Sequence, residues 1–237
     1  MLDVKQYKFN RNECWFKKAC EDFGADKCRM SCPIYLQFYY LVNLAEIPKR
    51  LQYPENLVLR AGADKPQYMR LQEIKNNIYE WVSEGNNLFI YSENCGNGKT
   101  TWAIKLMLKY FSEIMMGNGL QCRGFFIDVN SFLFRCKNDI GEHDARFNEI
   151  KQLITTVPLV IWDDIGVNGL TEYEHRILFM IINTRVNAGK SNIFTSNLGM
   201  EQLKGLIGQR LFSRIVNTSE CIELTNKDHR GVKGDDK

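Results

Sequence analysis

The chain has 237 residues, of which 44% are hydrophobic and 25% are charged. These proportions are ordinary for a soluble globular protein, and the length suffices for one large domain or a mid-sized domain with a small appendage. The net charge of +3 is compatible with nucleic-acid binding but too small to indicate it. No apolar run approaches the roughly 20 residues of a membrane span, and the polar N-terminus is no signal peptide, so we expect a cytoplasmic protein with no membrane partner.

Four of the eight cysteines, Cys14, Cys20, Cys28 and Cys32, are clustered near the N-terminus. Cytoplasmic thiols are usually reduced or metal-bound, and four thiolates suit a tetrahedral zinc site. We therefore predict a small Cys-rich, zinc-binding module over residues 1–50. The spacing C-x5-C-x7-C-x3-C departs from the usual closely paired cysteines, so unbound thiols and an iron–sulfur cluster are alternatives.

Residues 34–42 are mostly aromatic and aliphatic and predict a helix. Its apolar surface indicates packing in the protein core or, alternatively, against the Cys-rich module or a partner. Pro48 and Pro54 punctuate the stretch that follows, 46–65, which we interpret as a linker. A second domain is therefore predicted over 51–237.

Helical and strand patterns alternate from about Pro66 onward. Apolar runs predict strands at 88–91, 124–129, 159–162, 192–195 and 221–224, and helical periodicity predicts helices at 67–84, 99–116, 173–187 and 200–205. In the helix at 173–187 the candidate core residues are Ile177, Phe179, Met180, Ile181 and Val186. Apolar strands separated by helices indicate an α/β fold with a parallel sheet covered on both faces.

The segment SENCGNGKTT, residues 92–101, follows the first predicted strand of this sheet. Its glycines allow the backbone to approach phosphates closely, its lysine can neutralise them, and its first threonine can bind Mg²⁺. The predicted ATP contacts are Asn94, Cys95, Gly96, Asn97, Gly98, Lys99, Thr100 and Thr101. Glu93 stands where such loops usually have their first glycine, and a carboxylate there repels phosphates unless it points away. A glycine-rich strand–helix turn without a ligand is the alternative.

The segment PLVIWDDIG, residues 158–166, places two aspartates at the end of a buried strand. We predict that Asp163 holds Mg²⁺ and that Asp164 polarises the attacking water as a base. A simple turn or a helix cap is the alternative interpretation. In IFTSN, residues 193–197, Asn197 is the candidate sensor of the γ-phosphate or the water, and an ordinary turn after the strand is the alternative. Arg210 and Arg214, four residues apart in IGQRLFSRI, share a helix face, and one of them is a candidate arginine finger; a pair of solvated arginines is an equal alternative.

These motifs, GNGKTT, VIWDDIG, IFTSNL and GQRLFSRI with a closing DHR, resemble those of the DnaC/DnaI-type replicative helicase loaders, which are AAA+ ATPases. The resemblance implies an AAA+ P-loop NTPase fold with a five-stranded parallel sheet. It assigns Asp163 and Asp164 to Mg²⁺ and water, and Asn197 to the first sensor. It also makes Arg214 the finger that acts on a neighbouring subunit and Arg230 the second sensor.

The resemblance also implies a function. The chain would be an ATP-dependent loader that self-associates through its AAA+ domains. It would bind a hexameric replicative DNA helicase through the N-terminal module, residues 1–50, and help to place that helicase on single-stranded DNA. Hydrolysis would be slow and completed by a neighbouring subunit. The helix after the second strand would contact DNA through Phe134, Arg135 and Lys137, with the two basic residues favoured over the aromatic ones, although a buried core helix is an equal alternative.

Three other functions are compatible with parts of the sequence. A transposition helper ATPase of the IstB type shares the core, whereas a small-molecule kinase would need an arginine-rich lid that we do not find. An adaptor that binds ATP without hydrolysis is the third. The short chain and the atypical phosphate loop favour a phage or mobile-element version of the loader.

Overall fold

The computed structural model describes residues 9–53, 62–117, 121–139, 144–166 and 168–225. Five strands form one wholly parallel sheet in the order β2-β3-β4-β1-β5. The strands are β1 (Asn87–Tyr91), β2 (Gly124–Asp128), β3 (Leu159–Asp163), β4 (Ser191–Ser196) and β5 (Ser219–Glu223). The α-helices are α1 (Pro33–Leu44), α2 (Lys65–Asn76), α3 (Ile78–Ser83), α4 (Lys99–Ile114), α5 (Val129–Asn138), α6 (Ala145–Thr156), α7 (Glu172–Asn187) and α8 (Met200–Val216).

Alternate residues of the strands feed two hydrophobic cores, one on each face of the sheet. Leu88 and Ile90 belong to the core that helices α1 to α4 cover, whereas Phe89 belongs to the core that α5 to α8 cover. Strand β3 is buried along its whole length, as expected of a parallel strand covered on both sides. In the described part of the chain, no helix has both the length and the apolar character needed to cross a membrane.

The predicted strands are all present, and their ends differ by one or two residues. The predicted helix at 67–84 is divided at Asn77, and the predicted helix at 200–205 extends to Val216 through a kink at Gly208. Helix α6 was not predicted. Within α7, Met180 is 60% exposed and the prediction that it is a core residue is wrong, because the buried stripe consists of residues 174, 178, 181, 182 and 185.

Helix α1 contributes to the same core as one face of the parallel sheet. Its buried residues Phe38, Leu41 and Val42 belong to the cluster around α4, and the residue after the helix, Ala45, accepts a hydrogen bond from Phe126 N at 2.8 Å. The core interpretation of this helix is thus confirmed. Residues 33–47 are therefore packed on the sheet layer, while the domain boundary at residue 50 stays a prediction.

A buried arginine joins the elements at the amino ends of the strands. Arg185 of α7 has no exposed surface, and burial lowers the pKa of its guanidinium. It donates to Asn192 Oδ1 at 2.7 Å and to main-chain oxygens of Ile154, Val157 and Ser191. Asn192 in turn accepts from Trp162 Nε1 and donates to Asn87. Because an unpaired buried cation costs several kcal/mol, this satisfied network fixes α6, α7 and three strands against one another.

Candidate nucleotide site

The phosphate loop has the backbone conformation that its glycines allow. Gly96 has φ 73° and Gly98 has φ 98°, which is a left-handed conformation that favours glycine. Gly98 immediately precedes α4, so the loop ends in the exposed N–H groups and positive dipole end of a sixteen-residue helix. Asn94 and Cys95 are exposed at the outer side of the loop. The loop can therefore present backbone N–H groups to an anion, as the sequence predicts.

Lys99 and the two asparagines of the loop form one hydrogen-bonded group. Lys99 is 5% exposed, and its ammonium donates to Asn94 O at 2.8 Å and to Asn97 Oδ1 at 3.1 Å. Asn97 is buried, and its amide donates to Ser92 Oγ at 2.6 Å and to Leu224 O at 3.1 Å, just past β5. The lysine is therefore held inside the loop by neutral oxygen acceptors, which phosphate oxygens can replace.

Two hydroxyl groups from different elements converge on one carboxylate. Thr100 Oγ1 of α4 donates to Asp163 Oδ1 at 2.8 Å, and Thr195 Oγ1 of β4 donates to the same atom at 2.7 Å. Burial raises the pKa of Asp163 to about 6; the two hydroxyls oppose this rise, whereas Asp164 and Asp128 add to it. A carboxylate and a hydroxyl are hard oxygen ligands, so Thr100 and Asp163 fit a magnesium ion.

Asp164 has an unusual backbone and a defined side-chain partner. Its φ of 56° places a non-glycine residue in the left-handed region, where strained residues of functional sites are often found. Its backbone N–H donates to Thr195 Oγ1 at 3.0 Å, and its Oδ1 accepts from Asn197 Nδ2 at 2.5 Å. The structure therefore brings Asp164 and Asn197 together at the carboxyl ends of β3 and β4, beside Asp163.

Thr195 is a site residue that the sequence analysis missed. Its hydroxyl accepts a hydrogen bond from the backbone N–H of Asp164 and donates one to the carboxylate of Asp163. The signal in the sequence was a single polar residue at the end of the apolar run Ile193-Phe194. Glu93, by contrast, is placed against Gly199 in the loop that follows β4.

The family model for the IstB-like ATP-binding proteins matches residues 40–233 of this chain. That range includes every element of the sheet and of the phosphate loop. The chain belongs to the IstB/DnaC-like family of AAA+ proteins. The predicted AAA+ fold is thereby confirmed, and the family's description adds ATP as the nucleotide.

Individual relatives agree with this family. The replicative helicase loader DnaC of Escherichia coli strain K12 is 25% identical over 130 residues, which are 54% of this chain and 49% of DnaC. The match thus spans about half the length of that relative. The crystal structure of the DnaC helicase loader superposes with a TM-score of 0.63 at 21% identity, over 75% of this chain and 99% of that one. The crystal structure of DnaI superposes with a TM-score of 0.57 at 19% identity, over 78% of this chain and 94% of that one. The structural likenesses show a shared fold, and a phage or mobile-element origin stays a prediction.

The helix after the second strand, α5, carries the three residues that the sequence analysis gives as candidate DNA contacts. Arg135 lies over the ring of Phe147 at 4.6 Å, and the Lys137 ammonium is 2.9 Å from Glu174 Oε1. Both basic residues therefore have intramolecular partners. Phe134 is 66% exposed instead, beside a groove of about 520 Å³ between α5 and the segment that leads to α7. All three side chains are exposed, and their order of preference as DNA contacts stays a prediction.

The cysteine cluster does not form the predicted zinc site in this structure. Cys14, Cys20, Cys28 and Cys32 line one cavity of about 320 Å³, and burial raises the pKa of Cys14, with smaller contributions from the other three thiols. Nevertheless, among the residues that the structure describes, no three Cys, His, Asp or Glu side chains are grouped so that they could hold a metal ion.

The two candidate finger arginines lie in the second half of α8, after its kink. Arg210 is exposed and Arg214 is partly exposed. Both are therefore on the surface, where a neighbouring subunit can reach them. Arg230, the predicted second sensor, lies outside the described residues.

The shared hydroxyl of Thr195 gives a testable prediction. Thr195→Val leaves Asp163 with one donor fewer and the Asp164 N–H without its acceptor, so we expect the free energy of unfolding to fall by about 1–3 kcal/mol. We expect ATP turnover to fall at least about tenfold, because both carboxylates lose their orientation. Urea unfolding and steady-state hydrolysis measure the two effects.

Thr195→Ser should keep most of the activity because it retains the hydroxyl. Thr184→Val is the matched control, since this exposed hydroxyl of α7 donates only to Met180 O in its own helix. Wild-type turnover in Thr195→Val would contradict the assigned role.

Proposed function

We propose that the chain is an ATP-dependent loader of a hexameric replicative DNA helicase, and that it helps to place that helicase on single-stranded DNA. The observation that carries the ATPase part is the connected group Thr100–Asp163–Thr195–Asp164–Asn197 at the carboxyl ends of β3 and β4. The loader part is supported by the family, and by similarity to proteins described as helicase loaders. Parallel α/β sheets bind their ligands at this edge, which supports the location of the site.

Each residue of the site has a separate role in the proposed hydrolysis of ATP. Lys99 exchanges Asn94 O and Asn97 Oδ1 for phosphate oxygens, and the N-terminus of α4 orients the phosphates. Thr100 and Asp163 would hold a magnesium ion, which would neutralise charge on the phosphates when bound. Asp164 accepts the proton of the attacking water. Asn197 fixes the Asp164 carboxylate through its amide and keeps the carboxylate aimed at that water.

Arg214 is proposed to complete the site of a neighbouring subunit. An arginine finger stabilises the charge that develops during phosphoryl transfer and requires a surface position from which another subunit's site can be reached. Arg214 has such a position on α8. Hydrolysis should then be slow for the isolated chain and should increase with its concentration.

Mixing two inactive variants tests whether the site is shared. Asp164→Asn lacks the base but keeps Arg214, while Arg214→Ala keeps the base. In a mixed assembly, an Arg214→Ala subunit can receive the arginine of an Asp164→Asn neighbour, so we expect the mixture to regain ATP turnover that neither variant has alone.

A mixture of Lys99→Ala with Asp164→Asn is the matched control, because both residues act within one subunit and cannot complement each other. Turnover by Arg214→Ala that equals wild type at every concentration would contradict the shared site. Full biological activity of Asp164→Asn would instead support an adaptor that binds ATP without hydrolysis.

We infer that single-stranded DNA binds at α5 through base stacking on Phe134. Its ring is largely exposed beside the groove, while Arg135 and Lys137 stand next to it with their charges partly engaged by Phe147 and Glu174. Stacking on an exposed ring contributes about 1–3 kcal/mol per base. The positive charges of the two neighbours then act mainly as a weak, salt-dependent attraction for the DNA backbone.

Phe134→Ala should therefore weaken binding of a labelled single-stranded oligonucleotide by about fivefold or more, as measured by fluorescence anisotropy. Tyr79→Ala is the matched control, because Tyr79 is a 51% exposed aromatic residue on α3. An equal loss in both variants, or no loss in Phe134→Ala, would remove α5 from the DNA-binding surface.

The N-terminal segment is proposed to contact the helicase. Within it, Phe23 is 38% and Met30 is 62% exposed, in the turn-rich stretch around the cysteine cavity. Immobilised wild-type chain with ATP should retain a purified hexameric replicative helicase, and Phe23→Glu/Met30→Glu should lose it because charges are costly in an apolar contact. Tyr79→Glu is the control for a general effect of added charge.

The IstB-like family model favours one second candidate, a helper ATPase for transposition. The ATP site would serve a helicase loader and a transposition helper equally. The two functions therefore differ in what the chain binds, a helicase or duplex DNA. A chain that fails to retain the helicase but binds and bends duplex DNA would be such a helper.

A further inference from the structure

The loops after β1 and β4 run side by side at the edge of the sheet that carries the site. The parallel register pairs Tyr91 with Ser196, and the next residue, Ser92, donates its N–H to Ser196 O at 3.1 Å. Glu93 follows on one side, and the loop to Gly199 follows on the other. The residue that departs from the usual phosphate loop is therefore next to the loop that leads into α8.

Gly199 leaves room for the carboxylate of Glu93. A Cβ built on Gly199 would lie 2.4 Å from Glu93 Oε1 and 3.4 Å from its Cδ, and real Cβ atoms do not approach an oxygen so closely. Gly199 has φ −69° and ψ 163°, a conformation that any residue adopts. The carboxylate of Glu93 therefore occupies the space that a side chain at position 199 would need.

The charge of Glu93 suits the place that it occupies. Gly199 is the N-terminal cap residue of α8, a helix of 17 residues, and no side chain at the cap position accepts its first N–H groups. The N-terminus of a helix carries a partial positive charge that favours a nearby carboxylate. An acidic residue in the phosphate loop thus has a favourable position on the neighbouring helix.

We propose that Glu93 is a positioning residue that docks on Gly199 and so couples the phosphate loop to helix α8. This inference rests on the proposed ATP-binding function of the loop. Docking holds the carboxylate at the helix and prevents it from competing with phosphates for Lys99 and the loop N–H groups. Docking also links the phosphate loop to the helix that carries Arg210 and Arg214.

Gly199→Ala tests the coupling with little risk to folding, because its methyl group meets only the flexible end of one side chain at short distance. The displaced carboxylate becomes free to approach the loop, so we expect the affinity for a fluorescent ATP analogue to fall about fivefold, which corresponds to about 1 kcal/mol. The loss should be smaller at high salt, since it arises from charge. Gly205→Ala, also on α8 and with open space around its Cβ position, should bind as wild type does.

Removing the carboxylate should abolish the effect of the added methyl group. Glu93→Ala/Gly199→Ala should bind the analogue as tightly as Glu93→Ala does, and Glu93→Gln/Gly199→Ala should show little of the loss because the amide carries no charge. A Gly199→Ala protein that binds as wild type does, or a loss that persists in the Glu93→Ala background, would overturn the inference and leave the proposed function intact. A wild-type protein that binds no ATP analogue would overturn both.

Discussion

Strand β4 lies between β1 and β3 in parallel register, and both halves of the candidate site depend on that placement. Its pairing with β3 brings Thr195 to Asp163, and its pairing with β1 brings Ser196 to the start of the phosphate loop. A slip of the register by one residue would turn each side chain of β4 to the opposite face of the sheet. The buried contacts of Phe194 and Ile193 on the two faces oppose such a slip.

Polar groups at the two ends of the strands have different tasks. At the amino ends, Arg185 and Asn192 form a closed network whose acceptors are all inside the protein. At the carboxyl ends, Lys99 and Asp163 are also buried, yet a ligand can replace or join their present partners. The apolar strand interiors separate the two networks, so rigidity at one end can support chemistry at the other.

The sequence predicted those parts of the site that one continuous segment encodes. The phosphate loop and the aspartate pair were recognisable because glycine, lysine and aspartate at fixed spacing already define the local geometry. Thr195, the direction of Glu93 and the partners of Lys137 depend on contacts between segments far apart in the chain, which spacing alone does not reveal. The four cysteines are the reverse case, because they are close in sequence but form no group of metal-ligating side chains among the described residues.

The kink in α8 has a consequence for the direction in which its two arginines project. Gly208 has φ 76° and ψ 156°, a combination that is essentially confined to glycine. The helix therefore changes direction at this residue, after the half that starts beside Glu93 and before the half that carries Arg210 and Arg214. Any side chain at position 208 would force a different bend and would send the arginines elsewhere. One residue without a side chain thus sets the direction in which the second half of α8 leaves the first half.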